Sequence, residues 1–155
     1  MFKMVTLLLI LGMLISCYDA DDDLVLNGNS FLVFGHFYGE CSGEGCVETY
    51  KLTDASLYED ILDDYSGSHQ EFVELENTKF EQVKDVIDFF PNRLLNEQEP
   101  ILGCPDCADG GGIFIQYSID GTIKSWRIDQ TLNNVPEYLH EFIEKVNEKI
   151  ALINN

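Results

Sequence analysis

The sequence predicts an α+β domain of two layers, in which two helices pack on one face of an antiparallel sheet of about four to five strands. Two observations lead to this prediction. Segments that alternate between apolar and polar residues are joined by short turns, and two other segments carry apolar residues at the helical period. The order strand, strand, helix, strand, strand, helix is unlike that of a doubly wound parallel sheet. The 155 residues are 45% hydrophobic, which argues against a disordered chain.

Two strands are predicted near the start of the domain. Residues 30–38 are dense in aromatic and aliphatic side chains, as in a strand that is buried on at least one face. Val47–Leu52 alternates in polarity and fits a second strand, joined to the first by a loop that contains two cysteines. A short third strand is expected at residues 56–58, whereas residues 60–77 are mostly polar.

The first helix is predicted from a start signal and from the spacing that follows it. Thr78 and Glu81 match a capping box, in which each side chain bonds the backbone amide of the other residue. From Phe80 to Phe90 the apolar residues recur at helical spacing, and Pro91 ends the run. This aromatic stripe is typical of a core-facing helix.

A hairpin and a closing helix complete the domain. Residues 112–118 and 122–128 flank Asp120-Gly121, a pair that is typical of a two-residue β-turn. The closing helix is predicted from about Val135 with Asn133 or Asn134 as its cap. Its apolar stripe is formed by Val135, Leu139, Phe142, Ile143, Val146 and Ile150. Lys145 and Lys149 are expected to form ion pairs with glutamates along the same helix.

The first 16 residues read as a signal peptide. The apolar run of residues 4–15 would cover roughly 18 Å as a helix, well short of the ~30 Å hydrocarbon core of a bilayer. It ends in Leu14-Ile15-Ser16-Cys17, which resembles the lipobox of bacterial lipoproteins. The resemblance implies that Cys17 carries the lipid and becomes the first residue after cleavage.

Residues 17–27 are expected to form an acidic tether between the lipid and a single domain over residues 28–155. Four aspartates lie within residues 18–23, and their mutual repulsion favours a solvated segment. Such a tract also resembles the signal that sends lipoproteins of the Bacteroidota to the outer face of the outer membrane. Taken with its cysteine-bearing loop, the chain resembles the small lipoproteins of that group, which have no established activity. The resemblance implies a cell-envelope protein that is anchored to the outer membrane.

Four further cysteines form two closely spaced pairs, Cys41 with Cys46 and Cys104 with Cys107. An even number of cysteines in an exported chain indicates disulfides, and four cysteines allow three connectivities. A bridge from Cys46 to Cys104 would contribute ~4 kcal/mol and a local bridge ~2 kcal/mol. Local pairing needs no assumption about which loops meet, and we favour it.

Two other roles for these cysteines remain open at this point. Four thiolates at short spacing are typical of a zinc site, but the long separation of the two pairs and an oxidising compartment disfavour one. Cys104-Pro105-Asp106-Cys107 is superficially similar to the motif of thioredoxin relatives. In those proteins the motif opens a helix, whereas here glycines and a predicted strand follow it, beside carboxylates that would raise a thiol pKa.

No catalytic residue, metal ligand or cofactor is predicted. The three histidines, His36, His69 and His140, are scattered, and no nucleophile motif is present. Trp126 is expected to pack in the core and not to form a ligand platform. A formal charge of −19 argues against nucleic acid as a partner. We therefore expect a monomeric, membrane-tethered module that binds an unidentified protein partner without catalysis. The alternatives are an envelope enzyme, such as a thiol-redox protein that uses Cys104 and Cys107, and an acidic inhibitor or immunity-type protein that captures a basic partner.

Overall fold

One sheet of seven strands and two α-helices are found in residues 24–155, the part of the chain that the computed structural model describes. The elements in chain order are β1 (Phe31–Phe37), β2 (Val47–Leu52), β3 (Leu57–Asp60), β4 (Phe72–Glu74), α1 (Asn77–Val83), β5 (Ile101–Leu102), β6 (Gly112–Ile119), β7 (Thr122–Asp129) and α2 (His140–Ile153). Short 3₁₀ turns occupy much of the chain between them, including Lys84–Phe89 after α1 and Glu137–Leu139 before α2. The α+β class predicted from the sequence is confirmed. No helix within residues 24–155 is both long enough and apolar enough to cross a bilayer.

The sheet has the strand order β4-β3-β2-β1-β6-β7-β5, and it is mixed. Every pair of neighbours is antiparallel except β5 and β7, which run parallel. The prediction of a purely antiparallel sheet with four to five strands was therefore wrong in both number and direction. The two additional strands are the edge strands β4 and β5, of three and two residues, which are too short to show a period.

Asp120 and Gly121 turn the chain between β6 and β7 as predicted. Their φ angles are 50° and 78°, and a type I′ turn requires positive values at both central positions. The register pairs Ile119 with Thr122 directly across the turn.

The first helix differs from its prediction. It begins at Asn77, and after Val83 the chain tightens into the 3₁₀ turn Lys84–Phe89. The predicted capping box does not form, because Glu76 and not Thr78 occupies the N-cap position and makes no capping bond with its side chain. The helical spacing still placed Val83, Val86, Ile87 and Phe90 correctly in the core.

The closing helix α2 begins at His140, later than predicted, because Pro136 precedes a separate 3₁₀ turn. Lys149, predicted to pair with a glutamate of its own helix, is instead buried and pairs with Asp85. The residue is 5% exposed. Its Nζ lies 2.6 Å from Oδ1 of Asp85 and donates to the carbonyl of Gln82 at 2.9 Å. This ion pair joins α2 to the segment that follows α1.

Most of the core lies between the helices and one face of the sheet, here called the helix face. Its largest fully buried members from the sheet are Leu32, Phe34, Tyr50, Leu52, Leu57, Ile113, Ile115, Tyr117 and Ile128. Trp126 is also buried there, at 2% exposure, and its ring lies 6.5 Å from that of Phe90, as expected for a core residue. Leu26 is buried in the same core, and Leu24 packs against it.

The other face of the sheet, the open face, has a second and smaller cluster of Val33, Phe37, Val47 and Phe114. The long connection between β3 and β4, residues 61–71, folds over part of it. Tyr65 in this connection meets Phe37 edge to face, with ring centroids 5.4 Å apart.

Antiparallel pairing gives the sheet two distinct ends. The end of β1 lies beside the starts of β2 and β6 and the end of β7, and we call this the loop end. The chain enters β1 from Leu24 at the opposite end, which also holds the Asp120-Gly121 turn, and we call it the entry end.

Candidate functional site

Both cysteine pairs lie at the loop end of the sheet. Cys41 and Cys46 form a disulfide in the connection from β1 to β2, with a Cα–Cα distance of 5.6 Å. Cys104 and Cys107 form a second one just before β6, with a Cα–Cα distance of 5.5 Å. The preference for local pairing is thus confirmed. Since β1 ends where β6 begins, the two stapled loops are neighbours, although 57 residues separate them in sequence.

Asp106 ties these loops together. One of its oxygens, Oδ2, accepts the backbone N–H of Gly39 at 2.9 Å and the hydroxyl of Tyr65 at 2.8 Å. The other oxygen accepts the N–H of Gly111 at 3.1 Å. One carboxylate therefore joins three segments: the end of β1, the connection 61–71 and its own loop. The hydrogen bond from the hydroxyl of Tyr65 to Asp106 also raises the pKa of Tyr65 above its ordinary value.

The loop that carries Cys104 and Cys107 has an unusual backbone. Asp106, Ala108 and Asp109 have φ angles of 62°, 53° and 59°, in the left-handed region that side chains disfavour by about 1–2 kcal/mol per residue. Gly103 and Gly111 are also left-handed. Such a conformation persists only where surrounding contacts impose it, and it is most frequent at functional sites.

Asp129, at the end of β7, supplies part of this constraint. It is 5% exposed and accepts N–H groups from Thr131 at 2.7 Å, the side chain of Asn134 at 2.8 Å and Cys104 at 3.1 Å. Burial alone would raise the pKa of this carboxyl, but the three donors outweigh it and hold the pKa below its ordinary value. The charged side chain thus holds the start of the Cys104 loop against the sheet.

The connection 61–71, which brings Tyr65 to the loop end, is held in shape by Asp64. The carboxylate of Asp64 accepts bonds from the side chain and backbone of Ser66, and from the N–H groups of Ser68 and His69 at 3.1 and 3.0 Å. Hydrogen bonds from Ser66, followed by that from His69, hold the pKa of Asp64 below its ordinary value.

Arg127 lies on the open face where β7 approaches the loop end. Its guanidinium is 3.6 Å from the ring centroid of Phe37 and 4.8 Å from that of Tyr65, and its Nη1 donates to the carbonyl of Tyr65 at 2.8 Å. Beside it is a cavity of about 460 Å³ lined by Tyr65, Ser66, Ile101, Gly103, Cys104, Pro105 and Arg127. Nothing in the sequence marks Arg127, because a lone basic residue in a strand carries no recognisable pattern.

A second cavity of about 320 Å³ opens at the β2–β3 side and is acidic. It is lined by Glu48, Glu59, Asp60, Ile61 and Asp63. The hydroxyl of Tyr50 lies 2.6 Å from an oxygen of Glu48. Burial first, and then this carboxylate, raise the pKa of Tyr50 above its ordinary value.

The histidines and cysteines considered in the sequence do not come together as a catalytic group in the described residues. His36, His69 and His140 contact the carbonyl of Gly45, the carboxylate of Asp64 and the carbonyl of Val135 respectively, as separate pairs. All four cysteines of the described residues are in disulfides, so none is a free thiolate for zinc. Within residues 24–155 no group of three or more potential ligands is placed to hold a metal ion. The predicted lipid-bearing Cys17 and the aspartates of residues 18–23 lie outside the described residues.

No family model and no curated protein matches this sequence.

Proposed function

We propose that this protein is a lipid-anchored component of the bacterial cell envelope that binds a partner through the loop end of its sheet, without catalysis. The lipobox-like Leu14-Ile15-Ser16-Cys17 and the acidic tract after it support the anchor and an outer-membrane location. We further propose that the chain acts as a monomer.

The observation that carries the binding proposal is the convergence of two disulfide loops at the loop end of the sheet, opposite the end where the chain enters from Leu24. The chain enters β1 at the entry end, and the seven residues of β1 span roughly 20 Å before the loop end is reached. A tether attached at the entry end would leave the loop end turned away from the membrane. Exposed loops that are fixed in shape by a scaffold are where binding residues are most often found.

The anchor is tested in the bacterium with the full chain and a Cys17→Ser variant. We expect the wild-type chain to incorporate labelled palmitate and to fractionate with the membrane. The variant should do neither, because it lacks the thiol that would be acylated. Palmitate labelling of the Cys17→Ser variant would refute the assignment of this residue.

The binding surface is tested by photo-crosslinking in the same cells. A photoreactive amino acid is placed at Glu40, which is exposed next to the first stapled loop, or at Asn29, which is exposed at the entry end. We expect a discrete crosslinked product from position 40 and none from position 29. Products from position 29 alone, or from neither position, would contradict a binding surface at the loop end.

A thiol-exchange role remains the second candidate, because Cys104 and Cys107 are both exposed. The pair opens a 3₁₀ turn and not an α-helix, so the helix dipole that lowers a catalytic thiol pKa is not supplied here. Replacing Cys107 by Ser leaves Cys104 as a free thiol. Exchange activity would be seen as a mixed disulfide between Cys104 and a substrate protein in non-reducing gels, and a purely structural disulfide would yield none.

The acidic cavity of Glu48, Glu59 and Asp60 favours the third candidate, capture of a basic partner. Association with such a partner should slow steeply as salt is added, because charge steering is screened. A salt-independent rate would instead favour contacts through the loops.

A further inference from the structure

The cavity beside Arg127 combines one cation with apolar walls. Ile101 on the edge strand β5 is 57% exposed, and Pro105 of the Cys104 loop and Tyr65 line the same cavity. In the parallel register Ile101 lies directly beside Arg127. The site is therefore a recess of about 460 Å³ that is lined by one guanidinium and by apolar side chains.

Arg127 is held in position without a direct ion pair among the described residues, and the carboxylate of Asp106 lies across the hydroxyl of Tyr65. The stacking with Phe37 and Tyr65, the bond to the carbonyl of Tyr65 and a hydrogen bond with the Tyr65 side chain hold the guanidinium in place. No carboxylate among the described residues lies within ion-pair distance of it. This is unusual in a chain with 28 acidic and nine basic residues. Tyr65 engages part of its five N–H donors, and the guanidinium lines the cavity.

We infer that this cavity binds a monocarboxylate that carries an aliphatic group. The planar fork of a guanidinium matches a carboxylate in a bidentate arrangement, and Ile101 and Pro105 would cover the aliphatic part. Arg127 is the one cation among the lining residues, and the net charge of −19 repels anions of higher charge. Both facts favour a monoanion over a phosphate. The inference rests on the proposed function and deepens it, because the cavity borders the loop end.

Two sources supply this chemistry: the C-terminus of a peptide that ends in an aliphatic residue, and a free short aliphatic acid. The probes are therefore N-acetyl-Ala-Leu with a free carboxylate, the same peptide as its C-terminal amide, and 4-methylpentanoate. They are titrated at neutral pH into the full processed chain, labelled with ¹⁵N and held in neutral detergent.

The readout is the side-chain Nε–H signal of arginine, and the chain has only two arginines, Arg93 and Arg127. Arg93 is a matched control, since its guanidinium also stacks on a tyrosine, 4.7 Å from the ring centroid of Tyr138, and lines another cavity of about 310 Å³. We expect saturable shifts of the Arg127 signal with at least one carboxylate probe. The peptide amide should bind at least about tenfold more weakly than the peptide with a free carboxylate, because it lacks the charged hydrogen bond.

Two variants test the role of the charge. Arg127→Gln should weaken binding about tenfold or more, whereas Arg93→Gln should leave it within about twofold. Because Arg127→Gln also removes contacts to the 61–71 connection, Ile101→Glu is the second variant. It keeps Arg127 and its stacking, replaces an exposed side chain, and places a carboxylate of the chain itself beside the guanidinium, so it should block the probe.

The outcomes separate the possibilities. Tighter binding of N-acetyl-Ala-Leu supports a peptide C-terminus, and tighter binding of 4-methylpentanoate supports a free acid. Equal binding of acid and amide, equal shifts at Arg93, unimpaired binding to Ile101→Glu, or no saturation with any probe overturns the inference. If crosslinking from position 40 succeeds while the probes fail, this inference falls and the proposed function stands. If the probes bind while crosslinking from position 40 fails, the proposed partner at the loop end is refuted and carboxylate binding in the cavity stands.

Discussion

Replacing Asp129 removes a buried carboxylate that accepts hydrogen bonds from three donors. In Asp129→Ala the N–H groups of Cys104 and Thr131 and the side-chain amide of Asn134 lose their acceptor. A hydrogen bond to a charged group contributes about 1.5–3 kcal/mol, and these three are partly buried, so we expect a loss of about 3–5 kcal/mol in the free energy of unfolding. This is a large share of the 5–15 kcal/mol that is typical of a domain.

The assay is urea unfolding followed by circular dichroism with the disulfides intact. Asp129→Asn retains one acceptor oxygen and should lose about 1–2 kcal/mol, between the wild type and the alanine variant. Asp120→Asn is the control, because it alters an exposed aspartate at a left-handed turn position that asparagine also tolerates. A loss below about 1 kcal/mol for Asp129→Ala would refute the view that this carboxylate holds the loop.

The contribution of Asp129 to stability should depend on pH, and Asp129→Asn is the variant that tests it. The pKa of Asp129 is lower in the folded chain than in the unfolded chain, so its charge stabilises the fold fully above about pH 4. That contribution is lost as the pH falls through the folded pKa. The difference in unfolding free energy between wild type and Asp129→Asn should therefore shrink as the pH falls below about 4. A difference that stays constant down to about pH 2 would contradict the depressed pKa.

Three other predictions concern stability. Asp85→Asn leaves the buried amine of Lys149 without its carboxylate and should lower the free energy of unfolding by about 1–3 kcal/mol. Adding Lys149→Met to the same chain should recover part of that loss. Additive effects of the two substitutions in a double-mutant cycle, measured by urea unfolding, would contradict the pairing. Asp106→Ala should be about 1 kcal/mol less stable than Asp106→Gly, because alanine disfavours the left-handed backbone; equal midpoints in urea would argue against that conformation. Ala108→Gly should stabilise the chain by about 0.5–1 kcal/mol for the same reason, and a lowered melting temperature would contradict it.

The parts of the fold that follow from local patterns were predictable. The hairpin depends on two adjacent residues, Asp120 and Gly121, and the helix-face core depends on spacing within single segments. The edge strands β4 and β5 were missed because pairing with a neighbouring strand, and not their own three or two residues, makes them strands. Burial of Lys149 was missed for a similar reason, since its partner Asp85 lies on another element.

The candidate site was predictable only where covalent chemistry marks it. Cysteine spacing indicated the two stapled loops, but nothing in the sequence relates Asp106 to Gly39 or to Tyr65, which are 67 and 41 positions away. Aspartates are so numerous in this chain that Asp106 and Asp129 do not stand out among them. Only the antiparallel pairing of β1 with β6 brings their loops together.

The two ends of the sheet are stabilised in different ways, and this difference favours the loop end as the working surface. At the entry end the turns are satisfied locally, as between Thr53 and Ser56, whose backbones bond each other at 3.0 Å. At the loop end the segments depend on one another, because Asp106 bonds both Gly39 and Tyr65. Tyr65 also stacks on Arg127, so one side chain contacts both the Asp106 carboxylate and the guanidinium that lines the cavity. A partner that displaced Tyr65 would change the shape of the cavity, and a carboxylate held by Arg127 would in turn bias the position of Tyr65. Binding at the two places is therefore expected to be coupled, with the same factor in both directions.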